Sequence, residues 1–508
     1  MRMLLAILVL TLAPVAWAAD TPAEAVALAD ADAAAMPAVA RPLARYLWLT
    51  ERTAAEKRKA WQAVSSHLNK TSRSPRIVQP LVVLKTGQVC TAGELLPGNW
   101  DDAALLRIGY TDYGYNRKTW DRLAFQDPVF HVELLHYFEA TPTSAAGNYR
   151  VAAAAPWLAE TPAQQASIRR LIEYTQSKAP ILVAANFVWQ TAIQEGRDVG
   201  YYGLLEIKNR ADFEKLAGFN RKAAADYAPE ALAVVMNSGV SREPRRLERN
   251  RALGGGVHVT YDVKVAKNEF NPLRFLNGGF KHNAEEWFIL LSNGMWGVGL
   301  FDDKGATQNS APDFVGFDRY THNNDGRIHV GLACFDCHSR EGEAGLQPIP
   351  NSIRNLYSLP QVLKSPDAKR AVGVQDQYFQ YIDGEMRRDR ERFVEALKLA
   401  NGLSAKEDAL LLRAYFAQYD APVTAEQAAR ELGVSLDTML MRFDAMRKAP
   451  GPVGLDNILG FFTLAPEKRE PVPREQWNST YNVAQLALRG LVAWPDAVKK
   501  DVITITKY

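Results

Sequence analysis

The chain has 508 residues, of which 47% are apolar and 23% charged, proportions of an ordinary globular protein. That length suggests roughly two to four structural units. Its net charge of +3 is too small to point to nucleic acid or an acidic polymer as partner.

The first residues, Met1-Arg2-Met3, precede an apolar run from Leu4 to Leu12, and Ala16-Trp17-Ala18 follows. A basic start, a short apolar stretch and an A-x-A site predict a cleaved signal peptide over 1–18 and hence a periplasmic protein. The run is too short to cross a bilayer, and no later stretch reaches the ~20 apolar residues that a span needs. No cysteine sits just after the cleavage site, so no lipid anchor is expected there.

Residues 19–40 are rich in Ala, Asp and Pro without aromatics, and read as a mobile leader. Between Arg41 and Asn69, Leu43, Tyr46, Leu47, Trp61, Val64 and Leu68 fit helical spacing. Ile77 to Leu84 reads as a buried strand, and Leu105 begins another. Thr111 to Tyr115 looks like a turn into the aromatic segment Trp120–Phe130. Thr161-Pro162-Ala163-Gln164 starts a helix that Pro180 stops. Residues 181–236 look mostly helical, with breaks at Gly200 and Gly203. The stretch 238–262 is Gly-rich and crowds Arg242, Arg245, Arg246, Arg249 and Arg251 together.

A β region follows, in which 286–292 and 295–302 flank Asn293-Gly294, the dipeptide that favours a tight type I′ hairpin. Asp303-Lys304-Gly305 and Asn323-Asn324-Asp325-Gly326 are further turns. Beyond residue 360 the chain turns helical. Gly402 caps a helix over 385–401, and Ser404-Ala405-Lys406-Glu407 and Thr424-Ala425-Glu426-Gln427 are capping boxes. Ala428 to Ser435 resembles a helix-turn-helix, but its mixed charge and exported setting make it an ordinary helix–Gly–helix corner. The expected class is α+β, mainly helical, with a central β-hairpin region. The expected divisions are 1–18, 19–40, 41–236, 237–360 and 361–508.

The chemistry concentrates in Cys334-Phe335-Asp336-Cys337-His338, the C-x-x-C-H pattern of covalent haem attachment. Each thiol can bond one vinyl group of a porphyrin, and the imidazole that follows can ligate its iron. Haem is joined to such motifs outside the bacterial cytoplasm, so signal peptide and motif support one another. A structural zinc site would need a second Cys/His pair, and a redox dithiol a thioredoxin-like βαβ unit. Neither is visible in the sequence. The third cysteine, Cys90, reads as a buried thiol.

The sixth ligand decides whether the iron only passes electrons or also binds a substrate. His282 leads the field, ahead of His322 and His329. Met386, Met439, Met441 and Met446 are the candidates on the C-terminal side. Arg245 and Arg249, within the arginine cluster, are candidate clamps for haem propionates, against the alternative of a solvated basic loop. Trp287 and Trp296 stand as core residues or as pocket walls.

Ser238-Gly239-Val240-Ser241 with Arg245 and Arg249, His282 to Glu286, Leu291-Ser292-Asn293-Gly294 and Gly331-Leu332-Ala333-Cys334 together resemble large exported single-haem c-type cytochromes of planctomycetes and similar bacteria. Leu105 to Gly114 and Ala428 to Gly433 also resemble segments of that family. The chain departs from the family pattern at Asn283-Ala284-Glu285, where Asp-Gly-Gly is usual, and at Trp296-Gly297, where Gln-Ala is usual. The resemblance implies a haem scaffold and names no substrate.

The expected function is therefore a periplasmic c-type cytochrome with one covalent haem c, exchanging electrons with a redox partner protein. Two alternatives stand beside it. One is a haem-dependent peroxidase or oxygenase with an open distal site; its motive is the excess of protein over the ~100 residues of a simple carrier. The other is a haem-bearing binding module of an envelope complex.

Overall fold

The computed structural model describes residues 21–95, 99–124, 127, 129–130, 162–193, 200–221, 231–235, 241, 243–252, 254–272, 274–275, 279–316, 326–338, 366–448 and 456–488. The signal segment, Arg242, His322 and Asn323 to Asp325 lie outside them. The fold is α+β and mainly helical, with two five-stranded sheets.

The segment expected to be a mobile leader is instead an ordered helix, α1 (Pro22–Ala35). Thr21 accepts from the Glu24 amide while the Glu24 carboxylate returns to the Thr21 amide, and Pro22 takes the first helical position. Val26, Leu28 and Ala29 are buried. Two aspartates of the apparently polar leader are buried and paired: Asp30 with Arg170, and Asp32 with Arg107 and the Tyr46 hydroxyl. Aromatic side chains are supplied by the elements α1 packs on, so their absence from the leader did not foretell disorder.

The first sheet follows from β1 (Ala44–Trp48), α2 (Ala54–Lys70), β2 (Leu81–Leu84), β3 (Val89–Cys90), β4 (Ala103–Gly109), α3 (Arg117–Ala124), α4 (Pro162–Thr175) and β5 (Ile181–Val183). Its order is β3-β2-β4-β1-β5, antiparallel except for the β1–β5 pair. β1 is buried along its whole length, as a strand covered on both faces must be. Cys90 is a buried free thiol on β3.

Three short helices, α5 (Ala184–Ala192), α6 (Gly200–Leu205) and α7 (Arg210–Ala217), lead to the second sheet. It comprises β6 (Ala231–Val235), β7 (Arg245–Arg251), β8 (Gly256–Asp262), β9 (Ala284–Leu290) and β10 (Trp296–Asp302), all antiparallel, in the order β10-β9-β8-β7-β6. The arginine-rich stretch is thus a strand rather than a solvated basic loop. A strand this basic can sit inside a sheet because its arginines find carboxylates: Arg245 finds Asp262, Arg246 finds Glu248 and Arg249 finds Asp389. The Asn293-Gly294 hairpin forms with a different turn from the one expected. Only Gly294 has positive φ (+86°), and its amide donates to Leu291 O at 2.9 Å. This is a type I turn closed by a left-handed glycine, and the Asn293 side chain donates outward to Asn69 O at 2.9 Å.

The remaining helices are α8 (Leu332–Cys337), α9 (Pro366–Asn401), α10 (Ala405–Asp420), α11 (Ala425–Glu431), α12 (Leu436–Lys448), α13 (Asp456–Leu459) and α14 (Arg474–Leu488). The Ser404 capping box forms as its sequence implies, and Gly433 turns the corner between α11 and α12. Two apolar cores result. One joins residues of 25–204 with 412–488, and the other joins residues of 201–335 with 393–405. The long α9 spans from one to the other and lies on β6 and β8.

Candidate functional site

The C-x-x-C-H residues occupy α8 and its C-cap. The helix starts abruptly because Gly331 takes φ +94°, and a Cβ there would run into the carbonyl oxygen of Ala192. Within the motif the two intervening residues face the protein. Phe335 is buried edge-on against Tyr201, with ring centroids 5.9 Å apart, and the Lys70 ammonium lies 5.0 Å over its face. Asp336, only 2% exposed, forms an ion pair with Arg413 of α10. These two anchors orient the helix. Cys334 is buried and Cys337 exposed, and neither is in a disulfide. One turn separates them, and the His338 amide donates to Cys334 O at 3.1 Å. Two cysteines one turn apart with an imidazole next in line are the donor set that covalent haem attachment requires.

His338 stands over the second sheet. Its ring centroid is 4.1 Å from that of Phe288, and its Nε2 is 4.0 Å from Glu286 Oε1. Side chains alternate along a strand, so Glu286 and Phe288 share one face of β9 and Glu285 and Trp287 the other. The cross-strand register places Arg245, Arg249, His258, Thr260, Asp262, Val298 and Leu300 on the His338 face. Arg245 grips Asp262 with two bonds of 2.6 and 2.9 Å and reaches Glu286 Oε2 at 2.8 Å. Burial would raise the Glu286 carboxyl, but Arg245 and His338 outweigh it and hold it below its ordinary value. Arg249 lies 3.4 Å from Asp389 and 3.6 Å from Glu385, both on α9. Each candidate propionate clamp therefore already faces carboxylates of the protein.

His282 is on the other side of the sheet. Its Nε2 lies 2.8 Å from Glu285 Oε1, and its ring packs 4.8 Å from that of Tyr261, the register partner of Glu285. The structure thus brings Arg245 to His338 and keeps His282 away from it. His329 forms an isolated bridge with Ser310 on the way to α8. Met439 and Met446 are buried within the first core on α12, where they pack with the C-terminal helices, and Met441 is 60% exposed. Met386 is buried on α9, the helix that covers the His338 face. Trp296 belongs to that face, 6.1 Å from His258, whereas Trp287 is on the opposite face of the sheet beside Phe213 and Phe301.

Sequence reasoning missed His258, Glu286 and Asp389. His258 is 5% exposed, with Nε2 3.7 Å from Asp389, and Asp389 also accepts from the Gly256 amide at 3.1 Å. Only the strand register, which places His258 beside Phe288, could have singled it out. Among the described residues no group of three or more His, Cys, Asp and Glu is placed to hold a metal ion. No helix among them is long and apolar enough to cross a membrane.

Compared with family models, curated proteins and solved structures, the chain matches none.

Proposed function

We propose that the protein is an exported c-type cytochrome that carries one covalent haem and exchanges electrons with a protein partner. Cys334 and Cys337 would form the thioethers and His338 would ligate the iron; when bound, the haem supplies the one-electron chemistry. The observation that carries the reading is the orientation of the motif. Phe335 and Asp336 are anchored inward, and Cys334, Cys337 and His338 share one helical turn, with neither cysteine in a disulfide. The likeness to large exported single-haem cytochromes points the same way.

A second protein ligand to the iron would, on this reading, come from the His338 face of the sheet, where His258 and Met386 are the buried candidates. His282 engages Glu285 across the sheet. The test is expression of the full chain in a periplasm competent for haem attachment. The purified protein should gain the mass of one haem and give the pyridine haemochrome spectrum of two thioethers. Cys334→Ala combined with Cys337→Ala should abolish covalent haem altogether. A folded wild-type chain that leaves that host without covalent haem would refute the function.

A further inference from the structure

Three ionised side chains meet under His338, and their charges do not cancel. Arg245 contributes one positive charge; Glu286 contributes a negative one, and so does Asp262, which burial pushes toward protonation but the two bonds from Arg245 keep ionised, at contact distances of 2.6 to 2.9 Å. One negative charge is in excess. It is drawn toward His338, because Asp262 takes both arms of the bidentate pair and Glu286 is the carboxylate within 4.0 Å of the imidazole Nε2. Glu286 is largely withdrawn from water, with 18% of its side chain exposed, so solvent screens the charge only in part. The cross-strand neighbours of Glu286 on this face are Thr260 and Leu300, neither of which carries a charge to offset it.

We propose that Glu286 sets the redox poise of the site: a fixed negative charge beside the iron-ligating imidazole that favours the oxidised haem. The inference rests on the haem reading of Cys334, Cys337 and His338. Reduction adds one electron to the haem, and that electron must be placed beside the Glu286 carboxylate. The repulsion lowers the reduction potential by an amount that Arg245 limits without removing. Glu286 is a positioning and tuning residue here; it forms no bond in the transfer. The arrangement suits a donor that gives up its electron readily, so the partner it fits is an acceptor of higher potential.

The experiment is potentiometric titration of the full-length haem-loaded protein. Glu286→Gln keeps the shape and removes the charge. Its midpoint should rise by about the equivalent of a tenfold change in the ferric-to-ferrous ratio, ~59 mV for one electron. Glu286→Asp keeps the charge and should stay near the wild type. Thr260→Asp adds a second carboxylate across the strand from Glu286 and should lower the midpoint, which tests the same electrostatics without touching Glu286. The proposal is overturned if haem-loaded Glu286→Gln stays at or below the wild-type midpoint. It is equally overturned if Glu286→Asp shifts as far as Glu286→Gln, or if Thr260→Asp leaves the midpoint unmoved. Absence of covalent haem from the wild-type chain is a separate result: it refutes the cytochrome reading itself.

Discussion

The two faces of the second sheet use the same strands and, on β9, adjacent glutamates, but they solve different problems. On one face Glu285 is fully buried and surrounded. Arg210 donates to it at 2.6 Å, the Trp287 indole at 2.8 Å, and His282 lies at 2.8 Å. Phe213, Trp287 and Phe301 close over that network with ring centroids 5.6 to 6.2 Å apart. On the other face Glu286 remains partly open, shares one arginine with Asp262, and looks at His338. A satisfied, sealed charge network stabilises and specifies structure, whereas an unbalanced one beside a ligating side chain acts on whatever that side chain holds. The contrast assigns stability to the Glu285 face and chemistry to the Glu286 face.

The strongest way to break the contrast is to empty the sealed face. Trp287→Ala removes a wholly buried indole from a packed aromatic cluster and leaves the Glu285 carboxylate without its 2.8 Å donor. The expected cost is about 3–5 kcal/mol, read from urea unfolding of the haem-loaded protein. Its midpoint potential should nevertheless match the wild type. A large change in potential with little loss of stability would reverse the assignment of the two faces.

A smaller effect is expected where the motif helix meets α10. Arg413→Ala removes the ion-pair partner of the buried Asp336 carboxylate and should cost about 3 kcal/mol. Because Asp336 lies between the two thiols, the variant should also attach haem less completely, as mass spectrometry of the periplasmic product would show. Full attachment at normal stability would mean that Phe335 alone orients α8.

Much of this organisation was legible in the residues, and the parts that were not share a cause. The Asn293-Gly294 hairpin and the Ser404 capping box are local signals, and each lies where its sequence placed it. Thr21-Pro22-Ala23-Glu24 is an equally local capping box, but the acidic, aromatic-free composition around it masked a helix whose aspartates are neutralised by Arg107 and Arg170 from distant elements. The arginine-rich β7 looked like a loop for the same reason: its carboxylate partners, Asp262, Glu286 and Asp389, come from β8, β9 and α9. His282 was a reasonable ligand because it precedes the β hairpin. Which side of the sheet it takes depends on its bond to Glu285, and a one-residue difference in partner would have reversed it. Charges and histidines whose meaning is set across strands cannot be placed without the register.

The smallest effect separates the faces by acid. Burial would raise the Glu285 carboxyl, but the bond with His282 and the charges of Arg210 and Arg221 outweigh it and hold it below its ordinary value of 4.5. A carboxyl depressed in the folded state contributes stability above its unfolded pKa, and that contribution is lost as pH falls from about 4.5 through the lower folded value. Glu285→Gln is neutral throughout that range and loses nothing there. The variant should be less stable than the wild type at pH 7, because Arg210 loses its carboxylate partner at 2.6 Å, and the gap between them should narrow steadily below pH 4.5. Thermal unfolding at a series of pH values, followed by circular dichroism, reads this directly. A gap that stays constant down to acid would mean that Glu285 carries no charge of consequence in the folded protein. The sealed face would then be held by its aromatic packing alone.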